Sequence, residues 1–245
     1  MSCQPRPLRW AKQVGAKRVV GFTETGCQGA ETITDPVPLV RGQGKHEVEY
    51  LMTLLQPFGK VDHVSAARIA PETDALVRAQ TALAPARSLG KPLIGINLSA
   101  RLPSQQWPKS KFIELIGLLK DRYHCVLFWA PGSASNAGHP GDDEKASEVA
   151  VPYNADEVTC MPTQQLGELI AGISSVDLLV TADGGALHIG AACSKPEVVM
   201  FGDSDSTQWY PWRVPYKLLH PVSRDVRSIA ATEVAFAVDQ LVNEK

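Results

Sequence analysis

Along residues 93–201, short unbroken apolar runs alternate with stretches whose apolar side chains recur at helical spacing, and few folds accommodate that alternation. Residues 93–98 and 125–129 read as strands covered on both faces, because a strand with one wet face would alternate polar and apolar side chains. Between them, residues 108–120 place Phe112, Leu115, Ile116 and Leu119 on one helical stripe, with Pro108 at the start where a missing N–H costs nothing. Residues 158–161 read as the next strand, and Leu166, Leu169, Ile170 and Ile173 mark the next helix. Strands at 178–181 and 197–201, with a helix from Ala186 between them, complete the series. Such a repeat builds a doubly wound parallel sheet whose ligand crevice lies at the carboxyl ends of the strands.

At that end stands Thr181-Ala-Asp-Gly-Gly-Ala-Leu-His188. An apolar run broken by an acid and two glycines, then resumed by small apolar residues, reads as strand, tight turn and helix. A helix N-terminus carries unpaired N–H groups and partial positive charge, and glycine admits a ligand to the backbone without a Cβ in the way. A diphosphate suits such a place. The plainer alternative is that Asp183 caps the helix while Gly184 and Gly185 merely turn the chain; aspartate is a preferred N-cap, so capping is expected in either case. His188, taken alone, is equally well explained by packing or solvation.

Composition narrows the partners. The chain of 245 residues is 44% hydrophobic and 20% charged, which is enough to bury a core, and its net charge of −2 provides no broad basic field for a nucleic-acid backbone. Cys3, Cys27, Cys125, Cys160 and Cys193 are odd in number and scattered, so neither a disulfide framework nor a zinc knuckle is indicated, and a reducing cytoplasm suits them. No run approaches a membrane span. His46-Glu47-Val48-Glu49 lacks the second histidine of a metalloprotease helix, because position 50 is Tyr, and no metal site is expected. The stretch Gly132-Ser-Ala-Ser-Asn136 likewise lacks the second glycine of a nucleophile elbow.

The first part of the chain is of another kind. Residues 8–14 look like the end of a helix, 18–22 a strand, and 46–56 a helix with Val48, Leu51, Met52 and Leu55 on one face. These are too few strands to close a sheet alone. The expected organisation is residues 1–75 as an incomplete N-terminal part, 76–92 as helix and linker, and 93–245 as the Rossmann-like domain, with the last helix packing back on the N-terminal part.

Four segments follow the strand ends in order: Gly95 to Trp107-Pro108; Ala130-Pro-Gly with Gly141-Asp-Asp-Glu-Lys-Ala146; Thr181 to Ala192; and Phe201-Gly-Asp-Ser to Trp209-Tyr-Pro211. Together with Arg18-Val-Val-Gly-Phe22, the His46 helix and the closing segment 229–241, this pattern resembles glycosyltransferase family nine, the ADP-heptose:lipopolysaccharide heptosyltransferases, over nearly the whole chain. The resemblance implies an α/β, GT-B-like architecture with one complete doubly wound parallel-sheet domain, C-terminal, plus an incomplete N-terminal α/β domain. It implies an inverting, metal-independent transferase with no cofactor, taking an ADP-sugar as donor and lipopolysaccharide core as acceptor, cytoplasmic and peripheral at the inner membrane.

Carried over by motif, Asp183 contacts the donor sugar, the amides around Gly184, Gly185 and Ala186 hold the diphosphate, and His188 orients the turn or touches phosphate. Asp142 accepts from ribose hydroxyls, or else starts a helix whose dipole favours acids. Trp107 and Trp209 are expected to pack. The chain departs from the family twice. Where members carry Lys or Arg two residues before Trp-Pro, it has Gln105, which leaves Arg101 as the substitute cation and Ser99 as an added hydroxyl donor. The acid that serves the family as general base has no counterpart, so the resemblance implies an N-terminally truncated member in which transfer is slow or absent. Two other classes stay open: a non-catalytic nucleotide-sugar-binding module or partner subunit of a split glycosyltransferase, and a hydrolase or epimerase of similar architecture.

Overall fold

The computed structural model describes residues 5–23, 28–40, 42–59, 63–136, 138 and 140–244; Cys3 and Cys27 lie outside them. The chain forms two compact units, Met1–Ser65 with Thr207–Trp209, and Ala66–Ser206 with Tyr210–Lys245.

In the smaller unit, helix Pro5–Gln13 (α1) leads to strand Val20–Thr23 (β1), and a short crossover brings Asp35–Pro38 (β2) alongside in parallel, Phe22 opposite Val37. These two facing side chains are buried. Strand β2 is not among the expected elements, and its two prolines argue against a strand. Asp35 donates its N–H to Val19 O, so the alternation of the ladder points the donorless Pro36 and Pro38 away from β1, to the one edge where proline is tolerated. Helix Glu47–Met52 (α2) begins with a capping box: His46 Nδ1 accepts from Val48 N–H, and Glu49 accepts from His46 N–H at 2.9 Å. The helix expected over 46–56 is α-helical only to Met52 and continues as a 3-10 turn, Thr53–Phe58, where Pro57 has no N–H for another α-turn.

The larger unit opens with helix Thr73–Ser88 (α3) and alternates thereafter: Leu93–Asn97 (β3), Lys109–Leu119 (α4), His124–Trp129 (β4), Asp143–Ala150 (α5), Val158–Pro162 (β5), Leu166–Ser174 (α6), Leu178–Ala182 (β6), Gly185–Ala192 (α7) and Glu197–Met200 (β7) are followed by helix Ser206–Trp209 (α8), whose Thr207–Trp209 belong to the smaller unit, and then by Tyr216–Leu219 (β8) and Ala231–Asn243 (α9) of the larger one. Its sheet has six parallel strands in the order β5-β4-β3-β6-β7-β8. The sequence reading found five of these; β8 is short, carries Lys217 and is the partly exposed edge, so its apolar run was too weak to read. Helices α4, α5 and α9 cover one face, while α3, α6 and α7 cover the other.

The interior strands are buried on both faces, as their unbroken apolar runs require. Ile94, Ile96, Leu127, Val180 and Val198 sink into one core with α4 and α9, and Leu93, Val126, Phe128 and Leu179 into another with α3 and α6. Each such aliphatic side chain contributes roughly 1.5–3 kcal/mol on burial. Trp107 is packed, as expected: it meets Phe112 edge-on at 4.9 Å and donates Nε1–H to Ile229 O at 3.1 Å. The last helix, α9, packs on α4, and Tyr123, four residues past the end of α4, donates its hydroxyl to Asp239 at 2.8 Å.

Candidate functional site

From β3 the chain steps outward to β4 and β5, then crosses back to lay β6 against the other side of β3. The loops after β3 and β6 therefore leave the sheet in opposite directions and open a crevice between them. Asn97, at the end of β3, ties the two strand ends: its Nδ2 donates to Thr181 Oγ1 at 3.2 Å and to Ser99 O at 3.0 Å.

Beyond β6, Gly184 adopts φ 157°, ψ −168°, a conformation open almost only to glycine, and α7 starts at the next residue with no side-chain cap. Asp183 is thus not the cap, contrary to expectation. Its carboxylate turns to another loop, where Oδ2 accepts from Gln105 Nε2 at 2.8 Å, while its N–H donates to Met200 O at 2.9 Å. The first turn of α7 contains no acid, and a Cβ built at Gly184 or Gly185 would meet nothing within 4 Å. Neither a side-chain cap nor an acid stands at the positive end of this helix dipole, and the two glycines leave room beside it, the conditions for holding an anion. His188 lies one turn further in and is exposed. Desolvation lowers its pKa from the usual histidine value more than Asp183 raises it, so at neutral pH it brings a neutral ring to this end of the helix.

The start of α5, across the crevice on the β4 side, is built the other way. Asp143 accepts from Trp129 Nε1 at 2.7 Å and from Gly132 N–H at 2.8 Å, and these bonds, the indole first, hold its carboxyl below the usual range. Glu144 accepts from Ser133 and from Ala134 N–H. Its own amide first, and then these donors, lower its pKa too. Two carboxylates therefore stand at this helix start, bonded to the loop after β4, and would repel an incoming phosphate.

Asp142 precedes α5 without capping it by its side chain. Its Oδ2 accepts from Ser99 Oγ at 2.6 Å and its Oδ1 from Lys145 Nζ at 2.9 Å; Lys145 also donates to Leu98 O at 2.7 Å. Ser99 in turn accepts from Ala130 N–H at 3.0 Å, so its hydroxyl is committed within the protein. Gln105 is buried rather than facing the opening, and donates to Ser204 Oγ as well as to Asp183. Arg101 is exposed and makes no hydrogen bond or ion pair among the described residues.

The structure therefore brings Ser99 together with Asp142 and Gln105 with Asp183, with Gly184, Gly185, Ala186 and His188 following in α7, and leaves Arg101 outside both bonded pairs. Sequence reasoning missed Lys145, although its spacing three residues after Asp142 on a helix start is a readable signal, and missed Ser204, for which there was none. Among the described residues no three His, Cys, Asp or Glu side chains converge as metal ligands, and His46 is occupied as a helix cap.

A doubly wound sheet with an uncapped glycine-led helix at its switch point defines a Rossmann-like α/β unit of the ligand-binding kind. The family model for glycosyltransferase family 9 (heptosyltransferase) matches residues 11–224, and the chain belongs to that family. Lipopolysaccharide heptosyltransferase 2 of Salmonella typhimurium is 30% identical over 120 residues, 46% of this chain and 32% of the relative. Among solved structures, a family 9 glycosyltransferase from Veillonella parvula superposes with a TM-score of 0.82 at 21% identity, covering 99% of this chain and 72% of the other. The ADP-heptose lipopolysaccharide heptosyltransferase II of E. coli superposes at 0.73 and 16% identity, covering 98% of this chain and 74% of the other. These likenesses bear out the GT-B-like α/β fold. The chain spans about a third to a half of the length of curated relatives it matches.

Proposed function

We propose that the chain binds an ADP-activated heptose and serves its transfer, with inversion and without a metal, to a lipopolysaccharide core acceptor. The observation that carries this reading is the start of α7: uncapped, free of acid, open in front, and set beside Asp183 at the switch point. In this reading the diphosphate lies on the amides of Gly185 and Ala186, where the negative charge that develops as ADP leaves is stabilised without reorganisation. Asp183 takes a hydroxyl of the heptose. The acid-rich start of α5 receives neutral ribose rather than phosphate, with Asp142 accepting from a ribose hydroxyl through lone pairs left over by Ser99 and Lys145. Arg101, exposed in the loop after β3, supplies the mobile positive charge, and His188 adds a neutral hydrogen-bonding ring. The acceptor oxygen attacks the anomeric carbon, the carbon–oxygen bond to ADP breaks, and the acceptor proton passes to a base outside the matched motifs. The protein acts in the cytoplasm with peripheral membrane contact; no helix among the described residues is long and apolar enough to cross a membrane.

Thermal unfolding with ADP, UDP and GDP tests the reading. A ligand at a hundred times its Kd stabilises by about 2.7 kcal/mol, several degrees in Tm for a chain of this size. ADP is expected to raise Tm and Asp183→Ala to reduce the further gain from ADP-heptose. No response to ADP, or a response to UDP alone, overturns it. A second reading, a nucleotide-sugar-binding module or partner subunit of a split glycosyltransferase, is favoured by the two-stranded sheet of the smaller unit. Binding of ADP-heptose without transfer to any core acceptor selects it.

A further inference from the structure

Gln105 closes the 3-10 turn Pro103–Gln105 after β3, and its side chain is only 5% exposed. Its amide nitrogen donates to Asp183 Oδ2 and to Ser204 Oγ, each at 2.8 Å. A carboxylate oxygen only accepts, so the nitrogen end of the amide has to face Asp183, and both of its hydrogens are then committed. Through this one amide the loops after β3, β6 and β7 are joined. The loop after β7 is held further by the same turn, where Asp203 N–H donates to Ser104 Oγ at 3.4 Å, and by His220, whose Nε2 bonds Gly202 O at 3.0 Å. The geometry leaves Asp183 with one oxygen used. Oδ1 has no hydrogen-bond partner among the described residues, and the open space before Gly184 and Gly185 adjoins it in sequence.

We infer that Gln105 is a positioning residue for sugar recognition: it fixes the rotamer of Asp183 by occupying Oδ2, so that Oδ1 is presented as a single acceptor to one hydroxyl of the donor sugar. This rests on the donor-binding reading above. The choice of a neutral amide matters. A buried ammonium or guanidinium at this position would pair with the carboxylate and draw off its charge. Glutamine holds the geometry and leaves the charge for the ligand, and a hydroxyl bonded to an unneutralised carboxylate makes the stronger, charge-assisted bond. Gln105 is buried and touches protein on both donor bonds, so its influence reaches the ligand through Asp183. Its removal should weaken recognition of the sugar and spare recognition of the nucleotide. A residue that merely supports the fold would not separate the two.

The test is calorimetric titration of the full chain with ADP and with ADP-heptose, in the wild type, Gln105→Leu and Ser204→Ala. In Gln105→Leu, affinity for ADP-heptose is expected to fall about tenfold, the size of one charge-assisted hydrogen bond, while affinity for ADP stays within about twofold. Ser204→Ala, which frees one hydrogen of the same amide, is expected to move the ratio of the two affinities in the same direction by a smaller factor. Parallel weakening of both ligands, or an unchanged ratio, overturns the inference. If Gln105→Leu fails to fold, the ratio in Ser204→Ala decides alone, and an unchanged ratio there is again a refutation. A wild-type chain that binds neither ligand refutes the donor-binding reading itself, an outcome distinct from the others.

Discussion

Replacing Glu197 by Gln should stabilise the larger unit by roughly 3 kcal/mol at pH 7, and the gain should grow with pH. Glu197 opens β7 with no exposed surface, and neither carboxyl oxygen has a hydrogen-bond partner among the described residues. It lies under α7, where a Cβ on Gly190 would come within 2.8 Å of Oε1. Burial pushes its pKa from 4.5 to about 9, so the folded protein keeps it protonated while the unfolded chain ionises it. The folded-state pKa is the raised one. Its contribution to stability is therefore complete below about pH 4.5 and is lost progressively as pH rises to about 9, at roughly 1.4 kcal/mol per pH unit. By pH 7 the loss spans about two and a half pH units, which gives the figure above. Glutamine has nearly the same shape and does not titrate. Urea unfolding of both proteins from pH 5 to 9, followed by tryptophan fluorescence, measures the difference. A difference that is flat with pH, or a variant that loses stability as pH rises, would mean the carboxylate has a partner in the folded state and would refute the reasoning.

Gly184→Ala puts a Cβ at φ 157°, ψ −168°, and should cost about 1–3 kcal/mol in unfolding experiments while weakening ADP binding, although nothing stands in the way of the added methyl. Desolvation lowers the pKa of His188 below the usual histidine value; a bound diphosphate would raise it, so ADP binding near pH 6 should take up a fraction of a proton. Calorimetry in buffers of different ionisation enthalpy measures the uptake, and its persistence in His188→Gln would exclude this ring. The N–H of Val20 points away from β2, so Val20→Pro closes the outer edge of β1 as Pro36 and Pro38 close that of β2. It should reduce concentration-dependent association in light scattering without unfolding the unit, and unchanged association would place the sticky surface elsewhere.

The parallel sheet was legible in the sequence because strands such as β3 and β4 are buried on both faces and so are apolar without a break. Helix α4 was legible because one stripe of Phe112, Leu115, Ile116 and Leu119 meets the core. Strands β2 and β8 were not, since an edge tolerates the prolines of one and the lysine of the other. At the site, the glycine turn and the helix start were readable from local chemistry alone. The capping reading of Asp183 failed because a distant side chain, Gln105, outcompeted the neighbouring amides for its carboxylate, and no local pattern encodes a partner 78 residues away. Gln105 itself looked like a missing cation until its burial showed what it holds. The bond from Ser99 to Asp142 joins the loop after β3 to the start of α5, two segments that meet only in the fold.

The amides at the start of α7 are the centre of the account, and they can be observed one by one. In a 15N-labelled chain titrated with ADP, the backbone resonances of Gly185, Ala186 and Leu187 should show the largest shifts and saturate together with binding measured by calorimetry. Saturable ADP binding that leaves those three resonances in place would contradict it.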